Sequence, residues 1–335
     1  MQIEKERTNA AFEDFRVDFL ECWNRLPNKA FFFLLLGAWL SLFYFLGNVT
    51  LGYSLSRTPS LYLWLLKAYD PEGKYMRSDD GHGVIIPFVV LVLFWLKRKQ
   101  LLEQPLRSWP PGLLIVAFAL FLHIAGFMGQ QPKISVLALF IGIYGLTGLA
   151  WGPAWLKNSL FPFFLFAFCV PLGLQAQFIS FPLRLLVCHL VDWFANGILA
   201  IDVQRNGTSL LNASSNYQYE VAAACSGMRS LIATFALSVI YSFVSFREWW
   251  KRLLLIASAF PLAVLGNFVR MMTIIIAAEI GGQDWGNYIH EGGPGGIFSL
   301  LPYIPAFAGL LLLGHWLRPR PVGTTPVGSR LQQAA

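Results

Sequence analysis

Charged side chains are scarce in this chain. Of 335 residues only 13% are Asp, Glu, Lys or Arg, about half the roughly 25% of an ordinary soluble domain. A surface that faces water on all sides cannot be built from so few, which excludes a soluble enzyme. Disorder is excluded as well, because 56% of the residues are hydrophobic and 16% aromatic, whereas disordered chains are poor in both. Cysteine is also rare. Cys22, Cys169, Cys188 and Cys225 show no CxxC spacing, so neither a zinc site nor a redox pair is signalled, and no metal or cofactor is expected. The first 29 residues are charged and polar, and no small-residue cleavage site flanks the first apolar run, so that run is expected to be retained rather than removed as a leader. Internal repeats and a separate soluble domain are lacking too. What is present is apolar, with mean hydropathy +0.55. The expected class is an all-α polytopic protein of the lipid bilayer. The net charge of +7 is read as Lys and Arg of cytoplasmic loops rather than as affinity for nucleic acid.

About eight membrane-crossing helices are predicted: Ala30–Gly47, Gly83–Leu96, Gly112–Met128, Ile134–Trp151, Ser159–Gly173, Ser226–Phe246, Leu253–Ile280 and Phe298–Leu317. A ninth apolar stretch, Phe178–Ala200, carries Arg184, His189, Asp192 and Asn196 at helical spacings of three to five. That pattern suits a helix lying in the membrane interface. Charge supports the choice. Lys97–Lys99, Arg247–Arg252 and the arginines 318 and 320 all fall on the cytoplasmic side, with both termini, only if this stretch does not cross. Segments Asn48–His82, Ile201–Ala224 and Gly281–Ile297 are then external. Asn206-Gly207 and the alternation after it predict a small external β-hairpin. The organisation expected is a cytoplasmic segment 1–29, a multi-helix membrane domain 30–317 and a disordered cytoplasmic tail 318–335.

Ionisable groups at membrane depth are costly, and each is a functional candidate. Three places stand out, all toward the outer face. Cys225 in Cys225-Ser226-Gly227-Met228-Arg229 stands at the head of a predicted helix. Unpaired N–H groups and the helix dipole there favour thiolate, the nucleophilic form. Arg229 lies one turn deeper on the same face, and Gly227 permits close backbone approach. The alternative is a small buried apolar cysteine. Arg270 lies 17 residues into the seventh helix with Asn267 on the same face. Together they offer several donors to an oxyanion or carboxylate, or Arg270 simply snorkels to the interface. His290, beside Glu291 in a glycine-rich loop ahead of the last span, suits general acid/base work or is an ordinary loop histidine. Nucleophile, base and electrophilic stabiliser are the parts of acyl transfer through a thioester.

At these residues the sequence resembles the exosortase/archaeosortase family. Cys225-Ser226-Gly227-Met228-Arg229, Asn267-Phe268-Val269-Arg270 and His290 match its ordered motifs, and Gly81-His82-Gly83-Val84-Ile85-Ile86-Pro87 is similar to its Ser-His-Gly-x-x-x-Pro stretch, with Gly81 in place of Ser. The resemblance implies a membrane cysteine transpeptidase of the bacterial inner membrane, its active site facing the periplasm. Its substrates would be proteins ending in a Pro-Glu-Pro motif, one transmembrane helix and a basic end. It implies Cys225 as nucleophile, Arg270 as oxyanion stabiliser and His290 as acid/base, with Ser226, Gly227, Arg229 and Asn267 in support. The acceptor (amine, glycan or water) stays open. His82, Arg184 and His189 are candidate substrate contacts. Some relatives carry a fused C-terminal domain, which this chain is expected to lack. Rival readings are a non-enzymatic transporter or exopolysaccharide-export component, a serine protease of rhomboid type using Ser226, and a Cys188-His189 pair.

Overall fold

A computed structural model describes residues 2–47, 60–70, 80–172, 177–212, 217–220 and 228–318 (side chains at 2–12, 177, 179, 180, 220, 228, 229, 294 and 295 excepted). It is mostly helical. The chain divides into two compact units, Met1–Gln177 and Phe178–Ala335.

The first unit holds α1 (Gln2–Arg25), α2 (Lys29–Phe45), α3 (Leu61–Tyr69), α4 (Ile86–Leu96), α5 (Arg98–Leu102), α6 (Gly112–Met128), α7 (Pro132–Trp151) and α8 (Pro153–Phe164), with 3₁₀ turns at Gly81–Val84 and Leu165–Cys169. Its centre is α7, buried over most of its length. Gly142 of α7 lies under the indole of Trp39, whose Nε1 donates to the Leu139 carbonyl at 3.0 Å. Gly145 takes Val116 of α6. Small residues at such crossings let helices approach where lipid offers no hydrophobic drive to associate. The buried His123 of α6 is held at both ring nitrogens, by Ser135 Oγ at 3.1 Å and the Leu46 carbonyl at 3.1 Å, so it joins α7 to the end of α2.

The second unit holds α9 (Gln177–Gly197), strands β1 (Val203–Asn206), β2 (Ser209–Asn212) and β3 (Gln218–Glu220), then α10 (Met228–Ser245), α11 (Trp249–His290) and α12 (Tyr303–Leu317), the last preceded by a 3₁₀ segment, Pro294–Leu300. Helices α10, α11 and α12 pack together. Along α10 the residues Ser230, Thr234, Ser238 and Ser242 recur every four positions and are all buried, a strip narrow enough for close helix contact. Gly266 of α11 faces the Pro302 carbonyl so closely that a Cβ would sit 2.1 Å from it.

Several boundaries differ from the predictions. The hairpin forms, but Asn206 pairs with Ser209 and the two-residue turn is Gly207-Thr208. Gly207, at φ 62°, occupies the first central position, where a II′ turn places its glycine. A third strand, β3, pairs with β2 to make a three-stranded sheet. The fifth apolar run starts earlier, at Pro153, and ends its α-helix at Phe164. Beyond Cys169 the chain is extended at Val170, as the following Pro171 requires. Helix α3, capped by Ser60, lies within the segment Asn48–His82 that is predicted to be external. The expected loop 281–297 is partly helical. The α-helix resumes over 283–290 after a break at Gly282, with φ 78° and ψ −175°, a region essentially reserved for glycine.

By length and composition three described helices can cross a membrane: α7, α11 and Gly296–Leu317. A fourth arises if the bent pair Glu13–Arg25 and Lys29–Phe45, at 91° to each other, counts as one. Helices α4, α6 and Ser230–Ser245 are apolar but shorter.

Candidate active site

The break at Gly282 organises the second unit. In an unbroken helix residues 270 and 290 would stand about 30 Å apart, at 1.5 Å per residue. Instead Arg270 Nη2 donates to the His290 backbone carbonyl at 3.3 Å. The chain therefore folds back after Gly282, and the limb 283–290 returns His290 to the level of Arg270. Both residues are half-buried. The sequence prediction of a loop histidine is thus corrected: His290 ends a helix, and the glycine-rich loop begins at Glu291. Arg270 keeps donors to spare, since its Nε is buried with no hydrogen-bond partner among the described residues.

Asn267 sits one turn before Arg270. Its Oδ1 accepts from Ser230 Oγ at 3.1 Å, so the first turns of α10 are tied to the same face of α11. With its oxygen so engaged, the Asn267 amide NH₂ offers further donors. On the other flank β3 docks on the limb 283–290. Gln218 N–H donates to Gln283 Oε1 at 2.9 Å, and Tyr219 Oη donates to the Gln283 carbonyl at 3.1 Å. The Tyr219 ring lies beside the His290 imidazole, centroids 6.3 Å apart and planes at 30°. The sheet has a second anchor at Glu279, whose Oε2 accepts from Tyr217 Oη and Asn212 Nδ2, each at 3.1 Å. Tyr217, Tyr219, Gln283 and Glu279 were not singled out from sequence. The alternation Tyr217-Gln218-Tyr219 does put both tyrosines on one strand face, but which helix that face meets is a tertiary fact.

His290 lies past the break at Gly282, in the stretch 281–297 that is predicted from sequence to lie outside the membrane. Burial pushes its pKa below the ordinary 6.5, the neighbouring Arg270 charge pushes the same way, and Glu291 opposes them. The shift favours the neutral imidazole, the form able to take a proton.

Cys225, Ser226 and Gly227 lie outside the described residues, as does the side chain of Arg229. What is described is the chain on either side: β3 ends at Glu220, α10 begins at Met228, and both are tied to α11. His82 is half-buried in the 3₁₀ turn of the first unit. There Gly83 lies against the Tyr69 ring, 2.5 Å from where a Cβ would be. Tyr69 Oη donates to the Cys169 carbonyl, and Asp80 accepts from Leu172 N–H at 3.0 Å, so glycine at 83 has a packing reason. On α9, Arg184 is half-buried over Phe181 and His189 is exposed. Asp192 and Asn196 of that helix are engaged by the sheet: Asn196 exchanges two hydrogen bonds with the Val203 backbone, at 2.8 and 3.0 Å, and Asp192 meets Arg205 at 3.9 Å. The rival Cys188-His189 pair is split. Cys188 is buried with its thiol toward the Thr208 carbonyl, while His189 faces outward.

No curated protein and no solved structure matches the chain. The sequence model of the transmembrane exosortases (Exosortase_EpsH) matches residues 75–313, a span that contains the Cys225 segment, Asn267, Arg270, the Gly282 break and His290. That span is more than half of the chain, and with the apolar helices above it shows that the chain belongs to the transmembrane exosortase family, membrane proteins of transpeptidase type.

Proposed function

We propose that the protein is a cysteine protease and transpeptidase that cleaves proteins bearing a C-terminal Pro-Glu-Pro tag, a transmembrane helix and a basic end. It works at the outer face of the bacterial inner membrane, with both termini cytoplasmic. The observation that carries this reading is the return of His290 to Arg270 across the Gly282 break, with the elements flanking Cys225 tied to the same helix.

In the reaction the Cys225 thiolate attacks a backbone carbonyl carbon near the tag motif. The carbonyl π electrons move to oxygen, and the Arg270 guanidinium, with the Asn267 amide beside it, stabilises that oxyanion. The His290 imidazole takes the thiol proton and gives it to the leaving amine, so the C–N bond breaks as the tag departs. The acyl group is left as a thioester on Cys225. An acceptor amine, hydroxyl or water then loses a proton to His290 and attacks, and the thiolate leaves. The start of α10 three residues after Cys225 supports the thiolate through the dipole and free N–H groups of the helix N-terminus. The acidic tag would be met by Arg229 or Arg270, with Arg184 and His189 on one wall.

A reporter protein ending in such a tag, co-expressed with the enzyme, tests the reading. Wild type is expected to shorten it. Cys225→Ser, at normal membrane levels, is expected to lower the rate by about 10³-fold or more. Full cleavage by Cys225→Ser would overturn the assignment.

A further inference from the structure

We infer that Tyr219 and Gln283 form a latch that sets the position and the surroundings of His290. The inference deepens the proposed function and rests on it for its catalytic consequence. Neither residue belongs to the motifs that signal the chemistry. Gln283 is the first residue after the Gly282 break, so whatever holds it fixes the direction of the limb that ends at His290. It is held on three sides. Its Oε1 receives the Gln218 N–H at 2.9 Å, its Nε2 donates to Asn287 Oδ1 at 2.9 Å, and its carbonyl receives Tyr219 Oη at 3.1 Å. Tyr219 reaches that carbonyl by crossing Gly286, where a Cβ would lie 1.8 Å from the phenol oxygen. Glycine there is a requirement of the latch. The same tyrosine ring lies beside the imidazole, centroids 6.3 Å apart.

Among the described residues, the charged and titratable groups near His290 include Arg270 from the long limb of α11, Glu291 from the loop and Tyr219 from β3. Removing the Tyr219 ring admits water to the imidazole, which weakens the burial that lowers its pKa. Tyr219→Leu removes the ring. Tyr219→Phe keeps the ring and loses only the bond to the Gln283 carbonyl. Gln283→Leu deletes both amide contacts, and Gln283→Glu keeps the acceptor for Gln218 N–H.

Two readouts on the full-length protein in membranes decide the matter. The first is the pH dependence of His290 carbethoxylation by diethyl pyrocarbonate, followed by mass spectrometry, with the exposed His189 as internal control. The second is the rate of tagged-reporter cleavage, resolved into kcat and KM. Tyr219→Leu is expected to raise the His290 midpoint by roughly 0.5 pH unit, and to lower kcat about tenfold with KM within twofold. Tyr219→Phe is expected to restore the midpoint, and Gln283→Glu to recover most of the kcat lost in Gln283→Leu. An unchanged midpoint and kcat in Tyr219→Leu would overturn the latch. A shifted midpoint in a protein whose wild type does not cleave the reporter would support the latch and count against the transpeptidase reading.

Discussion

At the scale of single residues, the informative group is Arg270. One of its N–H donors is engaged by a backbone carbonyl and its Nε is buried without a partner among the described residues, an arrangement that costs stability unless something else uses it. A substrate oxyanion would. Lysine keeps the charge but loses the planar fork, so it must reach the His290 carbonyl and an oxyanion from a single nitrogen with poorer geometry. Arg270→Lys is expected to lower kcat for reporter cleavage by about 10²-fold or more, with a far smaller change in KM. Equal cleavage by the variant and wild type would remove Arg270 from the oxyanion site. Ser230 acts at one remove. Ser230→Ala frees the Asn267 oxygen and is expected to lower activity less than Arg270→Lys does, because only the bond that orients the amide is lost.

At the scale of elements, two glycines of α11 carry opposite lessons. Gly266 is needed for space: alanine there would strike the Pro302 carbonyl, a backbone atom that cannot swing away. Overpacking of this kind costs about 1–3 kcal/mol. Gly266→Ala is therefore expected to lower the thermal unfolding midpoint of the detergent-purified protein. Gly282 is needed for conformation alone, since nothing lies within 4 Å of a Cβ built there. Alanine at φ 78° and ψ −175° costs of order 1–3 kcal/mol, and a straightened helix relieves that strain. Gly282→Ala is expected to keep the membrane fold while moving His290 away from Arg270. Reporter cleavage should then fall, and Gly266→Ala and Gly282→Ala should separate stability from activity. Loss of folded protein in Gly282→Ala together with full specific activity in what remains would contradict this.

At the scale of the whole molecule, the proposed topology puts the sheet outside and the basic turns inside. The turn from α10 to α11 is rich in such charge: Lys251 pairs with Glu248 at 2.9 Å, and Arg252 lies 4.4 Å from the Phe243 ring centre. Asn206 in the hairpin and Lys99 after α4 are both exposed, which makes them useful markers. In a background with Cys22 and Cys225 replaced, a cysteine introduced by Asn206→Cys is expected to react with a membrane-impermeant maleimide from the periplasmic side. A cysteine introduced by Lys99→Cys is expected to stay unlabelled until the membrane is opened. The reverse pattern would invert the topology and place the candidate site on the wrong face for an exported substrate.

The apolar runs, and so the membrane class and most helices, were legible in the sequence because burial in lipid requires long stretches of one composition. Helix α6 matched its run residue for residue, and the ordered Cys225, Asn267, Arg270 and His290 motifs pointed to the family before any coordinates. Helix ends at Pro153, Val170 and Gly282 were not legible, since local composition does not say which of several breakers will act. The contact between Arg270 and His290, the placing of Tyr219 beside the imidazole and the hold of Glu279 on the sheet were set by tertiary structure alone. Each joins groups distant in sequence, and the first two depend on one backbone angle at Gly282 that a glycine permits but does not dictate.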